Sequence, residues 1–271
     1  MFGRIGFVML IVFPLTMVSC AVNPGGTTGL TDAQARAVDA AVNGVGTLGK
    51  ALAAVEPSSD ATTDTTSAQT FPNCPEVDLQ LSDGAFTVTL DYGESCSPLL
   101  FPDAVFSGVV SGSLSVAQGQ FTIGYEFDAF TIDDQSLDGF IEGSIARSGD
   151  IVTLGLEADL TASEGNNIVA DLSADVNKSN GLITIDDSTA TMTEAAVGTV
   201  DVVYEGIIID YPNHGNFIPE AGTATFVLPN DGPGPDTVTI IVEFTEETPA
   251  TRTVLVTVGE SGPIEHTIGE D

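Results

Sequence analysis

Val152-Thr153-Leu154-Gly155-Leu156-Glu157-Ala158-Asp159-Leu160-Thr161 alternates without a break between an apolar residue and a polar residue or glycine. A period of two places every apolar side chain on one face of a strand and both acids on the other. One face is therefore dry and one wet, which is the signature of a half-buried antiparallel strand. The same alternation runs outward in both directions. Downstream, Ile168, Ala170, Leu172, Ala174 and Val176 interleave with Asp171, Ser173 and Asp175. They are followed by Val200, Val202, Tyr204, Gly206 and Ile208, then Val238, Ile240, Val242 and Phe244, then Val254, Val256 and Val258. Upstream, Phe121, Ile123, Tyr125 and Phe127 alternate with Thr122, Gly124, Glu126 and Asp128. The fold class that follows is mainly β, a curved antiparallel sheet or a β-sandwich over residues 73–271, preceded by a short N-terminal helix.

Glycine marks two of these strands at matching places, Gly108 and Gly112 in one and Gly139 and Gly143 in the next. In a strand, glycine permits bending or the close approach of another element. The stretch Pro229-Asn230-Asp231-Gly232-Pro233-Gly234-Pro235-Asp236 reads as a rigid hairpin connection or, alternatively, as a domain junction with residues 237–271 as a terminal hairpin on the same sheet. A transmembrane barrel is disfavoured. The chain has no Trp and only four Tyr, too few for aromatic girdles.

Ahead of the β region, residues 57–72 are rich in Ser and Thr and read as a linker. Residues 31–56 form a helical segment. Thr31 and Gln34 have the spacing of a capping box, and Val38, Val42, Val45, Leu48 and Leu52 recur at helical intervals. Gly44, Gly46 and Gly49 each oppose a helix by about 1 kcal/mol. The expectation is a helix from about 31 to 43 with a weaker continuation to 55, its apolar stripe docked on the sheet or packed loosely near the membrane, with partner binding or a coiled coil as the sharper alternative.

The first nineteen residues read as an export signal. Arg4 is followed by an apolar run from Ile5 to Leu15, shorter than the roughly 20 residues a spanning helix needs. The run closes on Met17-Val18-Ser19-Cys20, which resembles a bacterial lipobox. That resemblance implies cleavage before Cys20 and acylation of Cys20 as the mature N-terminus. Residues 20–30 would then be a lipidated tether, with Ala21 at the position where an Asp would resemble an inner-membrane retention signal. The implied location is the cell envelope, at the outer membrane, with the membrane engaged through the lipid.

Removing the signal leaves five cations against 39 acids, a formal charge of −34. Such a surface repels phosphate backbones and excludes nucleic acid as a partner. It also repels itself, so a salty habitat or bound cations would stabilise the compact state. Calcium takes several carboxylate and carbonyl oxygens. Asp133, Asp134 and Asp138 ahead of Gly139 are one candidate calcium loop, and Asp231 with Asp236 is a second.

With Cys20 assigned to the lipid, Cys74 and Cys96 form the one even pair. In an oxidising compartment they are expected as a disulfide. Cys74-Pro75, the run Thr87 to Gly93, Cys96 and Ser107-Gly108 also resemble a pattern in secreted bacterial β-rich proteins. That resemblance carries no activity and implies only the same disulfide.

No catalytic constellation emerges. His214 and His266 are far apart in the chain, no nucleophile elbow surrounds a serine, and no HExxH or CxxC spacing is present. The paired acids Asp133/Asp134, Asp186/Asp187 and Glu246/Glu247 lack the Trp and the basic partners of a sugar-cleaving cleft. The expected function is a non-enzymatic binding or structural role for a membrane-anchored envelope lipoprotein, without a cofactor other than calcium. The alternatives are a carrier of a lipid or other hydrophobic ligand in an open half-barrel, and a calcium-dependent adhesin module.

Overall fold

A computed structural model describes residues 29–55, 74–82, 85–98, 101, 103–117, 120–163, 166–194, 197–229 and 236–269. Helix α1 runs over Asp32–Val55. The sheet follows as β1 (Glu76–Ser82), β2 (Ala85–Asp91), β3 (Phe106–Ala117), β4 (Gln120–Ile132), β5 (Gln135–Ser148), β6 (Ile151–Ala162), β7 (Asn167–Asn177), β8 (Leu182–Glu194) and β9 (Gly198–Asp210). A short α2 (Tyr211–His214) leads to β10 (Ala221–Pro229) and β11 (Thr237–Phe244). A short α3 (Thr248–Thr251) leads to β12 (Thr253–Val258) and β13 (Ile264–Thr267).

Every strand pairs antiparallel with the next in sequence, so the β region is a single unclosed, curved meander of 13 strands. The choice left open by the sequence, one curved sheet or a sandwich, resolves to one sheet. The alternation is realised as read: along β6 and β7 each inward apolar residue is buried, Glu157, Asp171 and Asp175 are exposed, and Asp159 is half-buried. β10 and β11 pair antiparallel with Pro229 opposite Thr237, and β11 to β13 continue the same sheet.

Helix α1 fills the inner face of this curve. Its residues belong to the same hydrophobic core as both ends of the sheet, from Val88 to Val256. The capping box forms as expected, with Gln34 N donating to Thr31 Oγ1 and Thr31 N donating to Gln34 Oε1. The helix does not weaken after residue 43 but continues unbroken to Val55. The glycines that oppose it locally are where it meets the sheet most closely. A Cβ on Gly49 would lie 2.7 Å from Ile209 Cδ1, and one on Gly44 would collide with the Met192 sulfur. Dispersion and burial across that contact offset the propensity cost, as tertiary packing generally does for an amphipathic helix.

Aromatic residues fill the core around the C-terminal part of the helix. Tyr92, Phe101, Phe106, Phe127, Phe130, Tyr211 and Phe217 meet edge-on or tilted, and Phe101 with Phe106 stacked, at centroid separations of 4.6–6.4 Å. Tyr92 Oη donates to the Ala54 carbonyl at 2.6 Å, satisfying an acceptor in the last turn of α1 that the helix itself leaves open. Tyr204 Oη donates to the Ala41 carbonyl at 2.9 Å.

Bulges shift the inward set in three strands. In β9, Gly206 takes φ +60°, and the buried positions pass from Tyr204 to Ile207 and Ile209. The strict alternation had placed Ile208 inward; the extra residue turns it to an intermediate position. In β4, Ala129 at φ +51° moves the inward register from Phe127 to Phe130. In β8, Asp187 at φ +46° does the same between Ile185 and Ser188. Gly139 has φ +117°, and a Cβ there would collide with the Asp159 carbonyl, so close strand approach is what that glycine permits. Phe121, read as inward, is 42% exposed because it stands near the β3–β4 hairpin tip, beyond the reach of the core.

Candidate functional site

Cys20, the lipidation candidate, and Asp231, a calcium candidate, lie outside the described residues. Cys74 and Cys96 are joined by a disulfide with a Cα separation of 6.0 Å. Cys96 also bridges Phe106 through the backbone, which ties the segment after β2 onto β3.

The acids expected to bind calcium do other work. Asp133 and Asp134 occupy the two central positions of the β4–β5 hairpin at φ +51° and +64°. That is the type I′ conformation, which Asp tolerates better than most residues. Asp133 Oδ1 accepts from Val105 N at 2.9 Å, and Asp138 Oδ1 accepts from Ala129 N at 2.7 Å in the β4 bulge. Asp186 repeats the device, accepting from Gly206 N at 3.0 Å. These carboxylates satisfy backbone amides that turns and bulges release from the ladder. Asp236 is exposed just before β11. Among the described residues no three His, Cys, Asp or Glu side chains converge on a point where a metal could sit. Asp133, Asp134 and Asp138 thus serve the β4–β5 turn and the β4 bulge.

The two histidines are each paired with an acid on the surface of the core. His214 Nε2 meets Glu220 Oε2 at 2.8 Å, and His266 Nε2 meets Asp39 Oδ1 at 2.9 Å. No serine, threonine or cysteine takes part in either pair.

The outer face of the sheet carries much of the acidity in register. Glu142, Glu157 and Asp171 sit directly opposite one another on β5, β6 and β7. Like charges in opposed positions destabilise a sheet. Phe140, Val169 and Val203 are the exposed apolar residues of that region.

The distinctive concave feature lies on the other side, against α1. A cavity of about 630 Å³ runs beside the helix. One wall is the ends of β4 to β8, with Gln135, Ser136, Asn166 and Met192; the other is the segment 215–218 with Arg252 and Ile268. Asn43, Thr47 and Lys50 of α1 form its edge. The floor is apolar, with Val42, Ile132, Leu137, Ile168 and Phe217.

Lys50 is the unusual member. It stands on a helix whose neighbouring positions Leu48, Gly49, Ala51 and Leu52 are all buried. Its ammonium donates to Gln135 Oε1. Burial pushes its pKa below the ordinary lysine value, and Asp133 opposes that shift only in part. The fold therefore holds a cation where desolvation disfavours it. Beside the cavity, Tyr211 packs on Phe217 at 4.6 Å, and its buried hydroxyl has no hydrogen-bond partner among the described residues. Burial, with Asp133 and Asp103 nearby, raises the pKa of that phenol.

Sequence reading missed this cavity. Lys50 carried no motif, and Gln135, Asn166 and Arg252 come from segments far apart in the chain. No protein-family model, curated protein or solved structure matches the sequence.

Proposed function

We propose that the protein is an envelope lipoprotein, moored by acyl chains on Cys20, whose β domain has a non-enzymatic binding or structural role at the cell surface. The observation that carries this reading is the apolar run from Ile5 to Leu15 behind Arg4, closed by Ser19-Cys20. Each buried methylene of an acyl chain contributes about 0.8 kcal/mol, so several chains on one residue make a stable anchor.

Two structural facts support the reading. The Cys74–Cys96 disulfide suits an exported protein. The inner face of the curved sheet is largely covered by α1 and its apolar side chains, which supports a packed module. The position of α1 also changes the geometry of the anchor. The helix belongs to the folded core, so only residues 21–30 separate Cys20 from the start of the capped helix, rather than a leash reaching to residue 72. Ten residues span at most about 36 Å, which keeps the domain close to the membrane.

Growth with labelled palmitate tests the mooring. The wild-type chain should take up label and the Cys20→Ala chain should not. Label retained after that substitution, or absent from the wild type, would overturn the assignment.

A further inference from the structure

The mature chain has five cations, and two of them, Lys50 and Arg252, border the same cavity. They arrive there from elements far apart in sequence, the first helix and the residue after α3. Asp133 is the one acid on the lining, so the cavity is locally cationic inside a strongly anionic protein.

The hydrogen-bonding groups there are only partly used. Asn216 and Asn167 spend their amides on the protein itself. Asn43, Asn166 and Ser136, in contrast, have side chains with no hydrogen bond among the described residues. Gln135 gives its carbonyl oxygen to Lys50 and keeps its amide NH₂ available. A lysine ammonium carries three donors and Gln135 accepts one, so two remain. A volume of about 630 Å³ falls in the range of about 300–1,000 Å³ found for small-molecule sites. An apolar floor under a rim of amides, a hydroxyl and two cations suits the flat faces and edge hydroxyls of a sugar ring bearing one acid group.

We propose that this cavity binds a small polyhydroxylated carboxylate of the uronate class, with Lys50 receiving the carboxylate, Arg252 assisting at the rim, and the free amides of Asn43, Gln135 and Asn166 engaging hydroxyls. The proposal rests on reading the chain as a binding module. It deepens that reading by naming the ligand class, and it does not depend on the lipid. Lys50 is half-buried, and a ligand carboxylate adds a counter-charge to the one that Asp133 supplies.

The test uses the intact purified protein, with D-glucuronate as probe and neutral D-glucose as control, followed by calorimetry and by amide chemical shifts. At physiological ionic strength the Debye length is about 8 Å, so distant acids are screened while contacts inside the cavity persist. Glucuronate should bind in the millimolar range or tighter, and shifts should cluster on α1 near Lys50 and on the β4–β5 turn. Lys50→Met should weaken binding about tenfold or more, equivalent to about 1.4 kcal/mol. Arg252→Gln, an exposed substitution that leaves the core intact, should weaken it several-fold. Glucose should bind about tenfold more weakly than glucuronate, again about 1.4 kcal/mol. No binding at millimolar glucuronate, equal binding of glucose, or unchanged affinity in both variants would overturn the proposal. Cys20→Ala protein should bind as the wild type does, so a failed anchor and a failed ligand site are separable outcomes.

Discussion

His266 on β13 and Asp39 on α1 meet at 2.9 Å, so the last described strand of the sheet is fastened to the first described helix. Both side chains are largely shielded from solvent. Gly269 N donates to the same carboxylate oxygen at 3.3 Å, which makes Asp39 the point where the C-terminal end of the sheet closes over the helix. Removing the imidazole leaves a shielded acceptor with one weak donor. His266→Ala should lower stability by about 1–3 kcal/mol, read as a shift in urea midpoint at constant slope. An unchanged midpoint would mean that β13 is not fastened to α1.

Three buried tyrosines should respond to the same substitution with different signs. Tyr92 and Tyr204 each donate to a carbonyl of α1, at 2.6 and 2.9 Å, and Phe at either position should cost about 1 kcal/mol. Tyr211 keeps a buried hydroxyl without a partner among the described residues. Tyr211→Phe should therefore leave stability unchanged or raise it by about 1 kcal/mol. Thermal melts of the three variants check the ordering, and a destabilised Tyr211→Phe would show that its hydroxyl is satisfied.

Lys50 links stability to pH through its lowered pKa. The folded state holds this proton less tightly than the unfolded chain. The penalty is therefore present in full at neutral pH and is relieved as pH rises from the folded value towards the unfolded value of 10.5. Lys50→Met should be more stable than the wild type at neutral pH, and the difference should shrink in strongly alkaline solution. A gap that stays constant across that window would contradict the desolvated ammonium.

The opposed acids on the outer face predict a salt effect. Glu157 faces Glu142 on one side and Asp171 on the other. Glu157→Gln should stabilise by roughly 0.2–1 kcal/mol at low ionic strength. The gain should fade in concentrated salt, where the Debye length drops to about 3 Å. A gain that persists at high salt would point to packing rather than charge.

The residues that carried the fold in the sequence were those whose side chains face two different solvents. Leu154, Leu156 and Leu160 against Glu157 and Asp159 could only be a half-buried strand, and they are. The bulges at Ala129, Asp187 and Gly206 were not legible. Each inserts one residue whose backbone conformation, not its polarity, resets the inward register. The continuity of α1 was hidden for a related reason. Gly44 and Gly49 weaken a helix in isolation, and their value lies in contacts with Met192 and Ile209, which no local pattern contains. Turn acids such as Asp133 resembled ion ligands because the same carboxylates suit calcium and suit released backbone amides. The cavity was invisible because Lys50, Gln135 and Arg252 come together only when the sheet curls around the helix.

The central claim is that this module is moored through Cys20, a short reach from its core helix. Mass measurement of the N-terminal peptide, from protein extracted from membranes, tests it most directly. The account predicts a chain that begins at Cys20 and carries the added mass of a diacylglyceryl group on the sulfur. A mature chain that begins at any other residue, or an unmodified Cys20, would contradict it.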